Sequence, residues 1–203
     1  MPEIIRDIEQ GSDKWLKLRC ASIGGTSICK IAPNGKQRND LLRVFVGEFL
    51  TGKPAENKGF QFAERGIEHE DGARQDYALT HGVEVEQVAM VRLDEHKHTS
   101  PDGLVGDDGM IEIKTRIPSV FVTAIIDGNK PINVVRQIQW GLYICDRQWC
   151  EYLQWCPEFA EVGLNPMIIE RIERDEAMIR DLRSSAEVFI ADMLKMAKRI
   201  KSR

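Results

Sequence analysis

Apolar residues recur along this chain with two different periods, and the changes between them outline its architecture. In NDLLRVFVGEFLTG the apolar positions 41, 42, 45, 46, 49 and 50 follow the three-and-four spacing of one helix face, and Gly52 suits the helix end. Residues 60 to 80 read as a longer helix. GSDKWLKLR reads as a short capped one, with Ser12 or Asp13 as cap and Trp15, Leu16 and Leu18 as anchors. IGGTSICKI reads as a glycine pair opening a further short helix, and a loop with Gly52, Pro54 and Gly59 precedes the long one. The period then falls to two. GVEVEQVAMVRL alternates as one strand, and Met110 to Thr115 alternates so that Ile111 and Ile113 face a core while Glu112 and Lys114 face the other way. VVRQIQWGLYICD predicts a buried helix, QWCEYLQWCP a strand with aromatic residues on both faces, and PMIIERIER a further strand. Met178, Leu182, Ala186, Phe189, Met193 and Ala197 then form one apolar stripe along a long final helix, the mark of a core or subunit contact.

The order α-α-α-α-β-β-β-α-α-β-β-α predicts an α/β (α+β) domain built on a central mixed sheet flanked by helices. No repeat, low-complexity tract or linker interrupts it, so the 203 residues predict a single domain: a helical part at 1–81, a sheet-bearing core at 82–173 and a closing helix at 174–203. Composition narrows the class. No run approaches 18 apolar residues, and MPEIIRDIEQ carries acids where a secretory signal carries a basic stretch followed by an apolar one, so a cytoplasmic location and no membrane partner are expected. The five cysteines, at 20, 29, 145, 150 and 156, include no CxxC pair and are expected as reduced thiols. Net charge is −4, yet Lys195, Lys198, Arg199, Lys201 and Arg203 place five of the 28 basic residues, and no acid, in the last nine positions. That tail is read either as a solvated helix end whose cations suit the helix dipole or as a contact for a polyanion.

The candidate chemistry lies in SPDGLVGDDGMIEIKTRIP, residues 100 to 118, where a turn at 106–109 joins an arm carrying Asp102 to the strand carrying Glu112 and Lys114. Two carboxylates a cation's width apart bind a hard divalent metal, and the Ile113 carbonyl between the functional side chains is a further oxygen ligand. A metal so held polarises a phosphoryl oxygen and acidifies a bound water, with Lys114 placed to orient that water. Register decides whether this is geometrically allowed. An even loop centred between Asp107 and Asp108 pairs residue 102 with residue 113 and turns Asp102 toward the isoleucines. For the carboxylates to share an ion, the hairpin needs an odd loop, a bulge, or Asp102 at a strand end. The alternative is an exposed Glu/Lys pair worth a few tenths of a kcal/mol.

Pro101-Asp102 followed by Glu112-Ile113-Lys114 spells the PD-(D/E)xK pattern, and SPDGLVGDDGMIEIKT closely resembles the phage-type recombination exonucleases of the YqaJ and lambda exonuclease family. WLKLRCASIGGTS, RGIEHEDGARQDY, VVRQIQWGLYI and IIERIERDEAMIRDL are similar to further blocks of that family, in the same order across nearly the whole chain. The resemblance implies a PD-(D/E)xK restriction-endonuclease-like core that digests linear double-stranded DNA from the 5′ end and leaves 3′ single-stranded overhangs. It implies Asp102, Glu112, Ile113 and Glu70 as ligands of two Mg²⁺ ions, with Mn²⁺ as a substitute, and Lys114 and Gln137 beside them. Glu70 also reads as an i,i+4 ion-pair partner of Arg74. A pocket for the 5′ phosphate is implied at Arg19, Gly25, Thr26 and Ser27. This chain has Gly-Gly-Thr where some members carry Thr-Ala-Ser, so Ser22 or Ser27 stands as a replacement for Thr26, and Arg19 alternatively caps a neighbouring helix. His96 and His98 are assigned to an exposed strand or DNA-side loop, because Mg²⁺ prefers oxygen. The family further implies a ring-shaped homotrimer, a single-strand annealing recombinase as partner, and a phage or prophage origin in a bacterial cytoplasm. Two rival readings are an endonuclease or repair nuclease needing no DNA end, and a DNA-binding or assembly protein with a vestigial site.

Overall fold

The computed structural model describes all residues except 34, 35, 56–59, 129 and 203, and only the backbone of 36 and 60–68. Gly59 of the expected loop and Arg203 of the basic tail therefore lie outside the described residues. The chain runs β1 (Glu3–Ile5), α1 (Asp13–Leu18), α2 (Gly25–Ile31), α3 (Lys36–Thr51), α4 (Phe60–His81), β2 (Val85–Glu86), β3 (Met90–Asp94) and β4 (Lys97–Thr99). It continues through β5 (Gly103–Val105), β6 (Gly109–Thr115), α5 (Pro118–Asp127), α6 (Ile132–Cys145), β7 (Trp149–Trp155), α7 (Pro157–Glu161), β8 (Met167–Glu173) and α8 (Glu176–Lys201).

A mixed five-stranded sheet in the order β2-β5-β6-β7-β8 forms the centre, and β1-β3-β4 form a smaller sheet beside it. Within the large sheet only β6 and β7 run parallel, with Glu112 beside Tyr152 and Lys114 beside Gln154, because α5 and α6 return the chain between them. Leu104, Met110 and Tyr152 on one face join the larger core with α2, α3, α6 and α8, while Ile111 and Ile113 on the other pack with Ala73 and Tyr77 of α4. Both faces of β6 are thus covered, the one carrying Glu112 as well as the one carrying the isoleucines, which argues against the alternative of an exposed Glu/Lys pair. Glu112 stands at the rim of a packed layer and is 4% exposed.

The long helices follow their apolar spacing. Leu182, Ala186, Phe189, Met193 and Ala197 of α8 are buried, and Phe189 meets Phe45 of α3 edge to face at 5.2 Å between centroids. The stripe is therefore core, each large residue contributing about 1.5–3 kcal/mol. Asp175 caps α8 by accepting from the N–H groups of Ala177 (2.9 Å) and Met178 (3.0 Å). Gln139 of α6 clamps the same junction, its Nε2 donating to the Glu173 carbonyl and its Oε1 accepting from the Asp175 N–H, both at 2.8 Å.

Other expectations change. GVEVEQVAMVRL is two strands, broken at 87–89, with β2 in the large sheet and β3 in the small one. Alternation reports which face a residue occupies and is silent on which sheet it joins. Strand β1 (Glu3–Ile5) and helix α7 (Pro157–Glu161) are too short to carry a periodic signal. His98 is 2% exposed rather than solvent-facing, because Trp140 of α6 closes over β4 and donates its indole N–H to the His98 carbonyl at 3.0 Å. Among the described residues all five cysteines are free thiols, three of them buried. No described helix is long and apolar enough to cross a membrane.

Candidate active site

The hairpin register places the two carboxylates. Gly103, Leu104 and Val105 pair with Ile111, Met110 and Gly109, so residues 106–108 form an odd loop, opened by Gly106 at φ 53°. One step further along this register, Asp102 comes opposite Glu112, and directly opposed residues share a face. Asp102 Oδ2 accepts the N–H of Ile113 at 2.6 Å. A strand residue directs its N–H and C=O to the same side, so the Ile113 carbonyl also points toward Asp102. Arg74 of α4 steadies the arm, donating from Nε to the Asp102 carbonyl at 2.8 Å while pairing with Asp71. The i,i+4 pair between Glu70 and Arg74 is absent among the described residues.

Glu112 is held from two directions. Gln137 of α6 donates to Oε1 at 2.6 Å, and the Lys114 ammonium pairs with the same oxygen. The next residue on this face, Arg116, donates to Gln154 Oε1 at 3.0 Å and to the Tyr152 hydroxyl at 2.6 Å, which fixes the β7 side of the site. Glu70, on the inner face of α4, is half-buried and lines a cavity of about 550 Å³ with Arg74 and the 6–10 segment.

These groups perturb one another. Burial above all raises the Asp102 carboxyl well above its ordinary range; Glu112 and Glu70 add to this, and Lys114 and the Ile113 N–H oppose it. Burial likewise raises Glu70, against Arg74 and Lys114. Burial alone would lower the Lys114 ammonium, but Glu112 and Asp102 override it, and the group stays protonated well into the alkaline range. Carboxylates packed this closely repel one another when ionised. Among the described residues no three His, Cys, Asp or Glu side chains already stand at a common liganding point, and Glu112 is engaged instead by Lys114 and Gln137.

The residues expected at a phosphate pocket divide. Arg19 and Ser27 line one cavity of about 300 Å³ together with Ser22, Glu48 and His98. Thr26 is exposed and does not line it. Arg19 is itself the C-cap of α1, its guanidinium lying over Trp15 at 4.0 Å from the ring centroid rather than capping a neighbouring helix. Gly25 serves close approach: a Cβ there would meet Cγ of Gln137 at 2.7 Å, and one on Gly24 would meet Nε2 of His98 at 2.8 Å. The glycine pair thus seats α2 against α6 and β4. His98 Nδ1 lies 2.8 Å from the Ser22 hydroxyl, and burial, then Arg19 and Arg92, push its pKa down to about 3, so it is neutral. Sequence reasoning missed Glu48 and His98 as cavity residues. Glu48 joins through a tertiary contact, accepting the N–H of Ala21 at 2.9 Å, and carries no local motif. Ser100, directly before Pro101-Asp102, has a buried hydroxyl without a partner among the described residues.

Fold and site together define the class, an exonuclease-type α/β fold carrying a PD-(D/E)xK hairpin. The structure is similar to the alkaline exonuclease LHK-Exo of Laribacter hongkongensis, at 25% identity over 94% of this chain and 97% of that one, with a TM-score of 0.85. The same enzyme in complex with dAMP matches with a TM-score of 0.84, at 24% identity over 94% and 97%. A phage-related exonuclease of Haemophilus somnus 129PT shares the fold at 15% identity over 91% and 99%, with a TM-score of 0.67. The chain belongs to the YqaJ-like viral recombinase domain family, whose sequence model matches residues 14–148. No curated protein sequence matches it significantly.

Proposed function

We propose that this chain is a Mg²⁺-dependent exonuclease that degrades one strand of linear double-stranded DNA from its 5′ end and leaves a 3′ overhang for single-strand annealing recombination. The observation that carries the reading is the odd-loop register that sets Asp102 opposite Glu112, with Lys114 on the same strand face. Asp102, Glu112 and the Ile113 carbonyl would hold a divalent ion, with Glu70 contributing to a second. Mn²⁺ would substitute. A hard cation bound there supplies a polarised phosphoryl oxygen and an acidified water.

The protein's own groups do the rest. Lys114, a cation while it faces Glu112, orients the attacking water and offsets charge on the phosphorane. Gln137 holds Glu112 in place and presents an amide to the same region. Arg19, Ser27 and Ser22 receive the terminal 5′ phosphate, Arg19 being preset by its stacking on Trp15. In this reading three copies close into a ring around the DNA. That is supported by the family resemblance and by the exposed apolar side chains of α5.

The test is a linear duplex labelled on each strand, with and without a 5′ phosphate, incubated with Mg²⁺ or with chelator. Loss of the 5′-ending strand only with Mg²⁺, faster with the phosphate, is expected, and a covalently closed circle should survive. Cleavage of that circle would replace this reading with an endonuclease.

A further inference from the structure

A second basic hollow opens beside α1, outside the residues assigned above. It encloses about 380 Å³ and is lined by Lys14, Lys17, Arg92 and Glu95 together with Ile8 and Leu18. Three cations face one acid. Among the described residues no side chain of Lys14, Lys17 or Arg92 makes an ion pair or hydrogen bond, and Nε of Arg92 is buried without an acceptor. Arg19, stacked on Trp15, shares this state, whereas three other enclosed guanidiniums each reach an oxygen. Arg38 reaches Asp192 at 2.6 Å, Arg74 reaches the Asp102 carbonyl at 2.8 Å, and Arg174 reaches the Leu142 carbonyl at 2.8 Å. A guanidinium beside two unpaired ammonium groups, opposed only by Glu95, forms a focused positive potential that attracts an anion.

The hollow also has a definite place relative to the proposed 5′-phosphate cavity. Arg92 pairs in register with His98 across β3 and β4, and His98 lines that cavity with Arg19. Cys20 lines the second hollow while its neighbour Arg19 lines the first. The two hollows are therefore neighbours, sharing the β3–β4 pair and the Arg19–Cys20 segment. In the proposed reaction the digested strand ends at its 5′ phosphate beside Arg19, which leaves the neighbouring hollow to the other strand.

We propose that Lys14, Lys17 and Arg92 bind a backbone phosphate of the other strand, the one spared by digestion, as it leaves the duplex with its 3′ end. The choice of strand rests on the exonuclease reading; the anion site does not. It is tested by equilibrium binding in chelator, which needs no hydrolysis, with wild type, K14Q/K17Q, R92Q and R92K on blunt duplex and on duplex bearing a 3′ extension of about six nucleotides, across a salt series. For the extended substrate K14Q/K17Q and R92Q should weaken binding about threefold to tenfold and lower the salt slope by roughly one, with R92K close to wild type. The blunt substrate should shift less than about twofold, because it offers no spared strand beyond the end. Equal weakening on both substrates would overturn the strand assignment, and an unchanged salt slope would remove the anion site. K14Q/K17Q, confined to exposed side chains of α1, keeps the test independent of any folding defect in R92Q. Should the protein fail to cut DNA in Mg²⁺ while the salt slopes still differ, the exonuclease reading falls and the anion site stands.

Discussion

Asp102 carries an electrostatic cost, and the proposed ion site would offset it. Its half-buried carboxyl faces Glu112 and holds its proton well above the ordinary value of 3.8. A raised folded-state pKa means that this carboxyl binds its proton more tightly in the folded than in the unfolded chain, so its contribution to stability is greatest in acid and falls as pH rises through and beyond about 4. Glu70, shifted the same way, adds to the trend. Asp102→Asn removes the penalty. In chelator at neutral pH the variant should melt at or above the wild-type temperature, the gain disappearing below about pH 4, while hydrolysis falls by about a thousandfold, as expected for loss of a ligand whose ion supplies several kcal/mol. Mg²⁺ should raise the melting temperature of wild type and leave Asp102→Asn unmoved, since only a native state that binds an ion is stabilised by it. Differential scanning calorimetry with and without Mg²⁺ reads both. Equal loss of stability and activity in chelator would count against the ion site.

Helix α6 sets function and folding two residues apart. Gln137 reaches Glu112, whereas Gln139 reaches the β8–α8 junction, and the two side chains leave the helix in different directions. A hydrogen bond to a charged group is worth about 1.5–3 kcal/mol, so Gln137→Ala should lower kcat roughly tenfold to a hundredfold with a near-native melting temperature. Gln139→Ala strands a buried carbonyl and a buried N–H, and should lower the melting temperature by about 4–10 °C with kcat per folded molecule unchanged. Gly25→Ala would drive a methyl into Gln137, so it should resemble Gln137→Ala in activity and add little to it in the double mutant. Initial rates and thermal melts on the four proteins decide this. Much of this scale was legible in the sequence. The periods of α3, α8, β6, β7 and β8 name their own elements, and the odd loop was one of the geometries the carboxylates required. What the sequence withheld was tertiary: which sheet β2 and β3 join, that α6 covers His98, and that Gly24 and Gly25 exist for packing against His98 and Gln137. None of these leaves a periodic mark on the chain.

At the scale of the whole molecule the unusual element is α5. It begins four residues after Lys114, on a proline at its first turn, and ends at Gly128 in the left-handed region. Only Phe121 is buried, packing against Phe159, while Val120, Val122, Ile125 and Ile126 stand in solvent, Ile126 at 75% exposure. Ile117 before the helix and Ile132 after it continue the apolar surface. Val122, Ile125 and Ile126 share one side of the helix, and exposed aliphatic side chains grouped in this way suit a subunit contact. In a ring, each subunit would bury the patch against a different surface of the next, the arrangement that closes by rotation. Placing the patch directly after the catalytic strand would couple assembly to the site, so that one ring encloses the duplex and holds it between successive cuts. Ile125→Lys with Ile126→Lys should then reduce the sedimenting mass from three chains to one. Release of the first nucleotides from a short duplex should persist at a comparable rate, because neither residue touches the site. Digestion of a long duplex should change from few long products per enzyme to many short ones. Sedimentation of wild type as a single chain at micromolar concentration would overturn the assembly, and would require processivity, if observed, to come from a surface within one subunit.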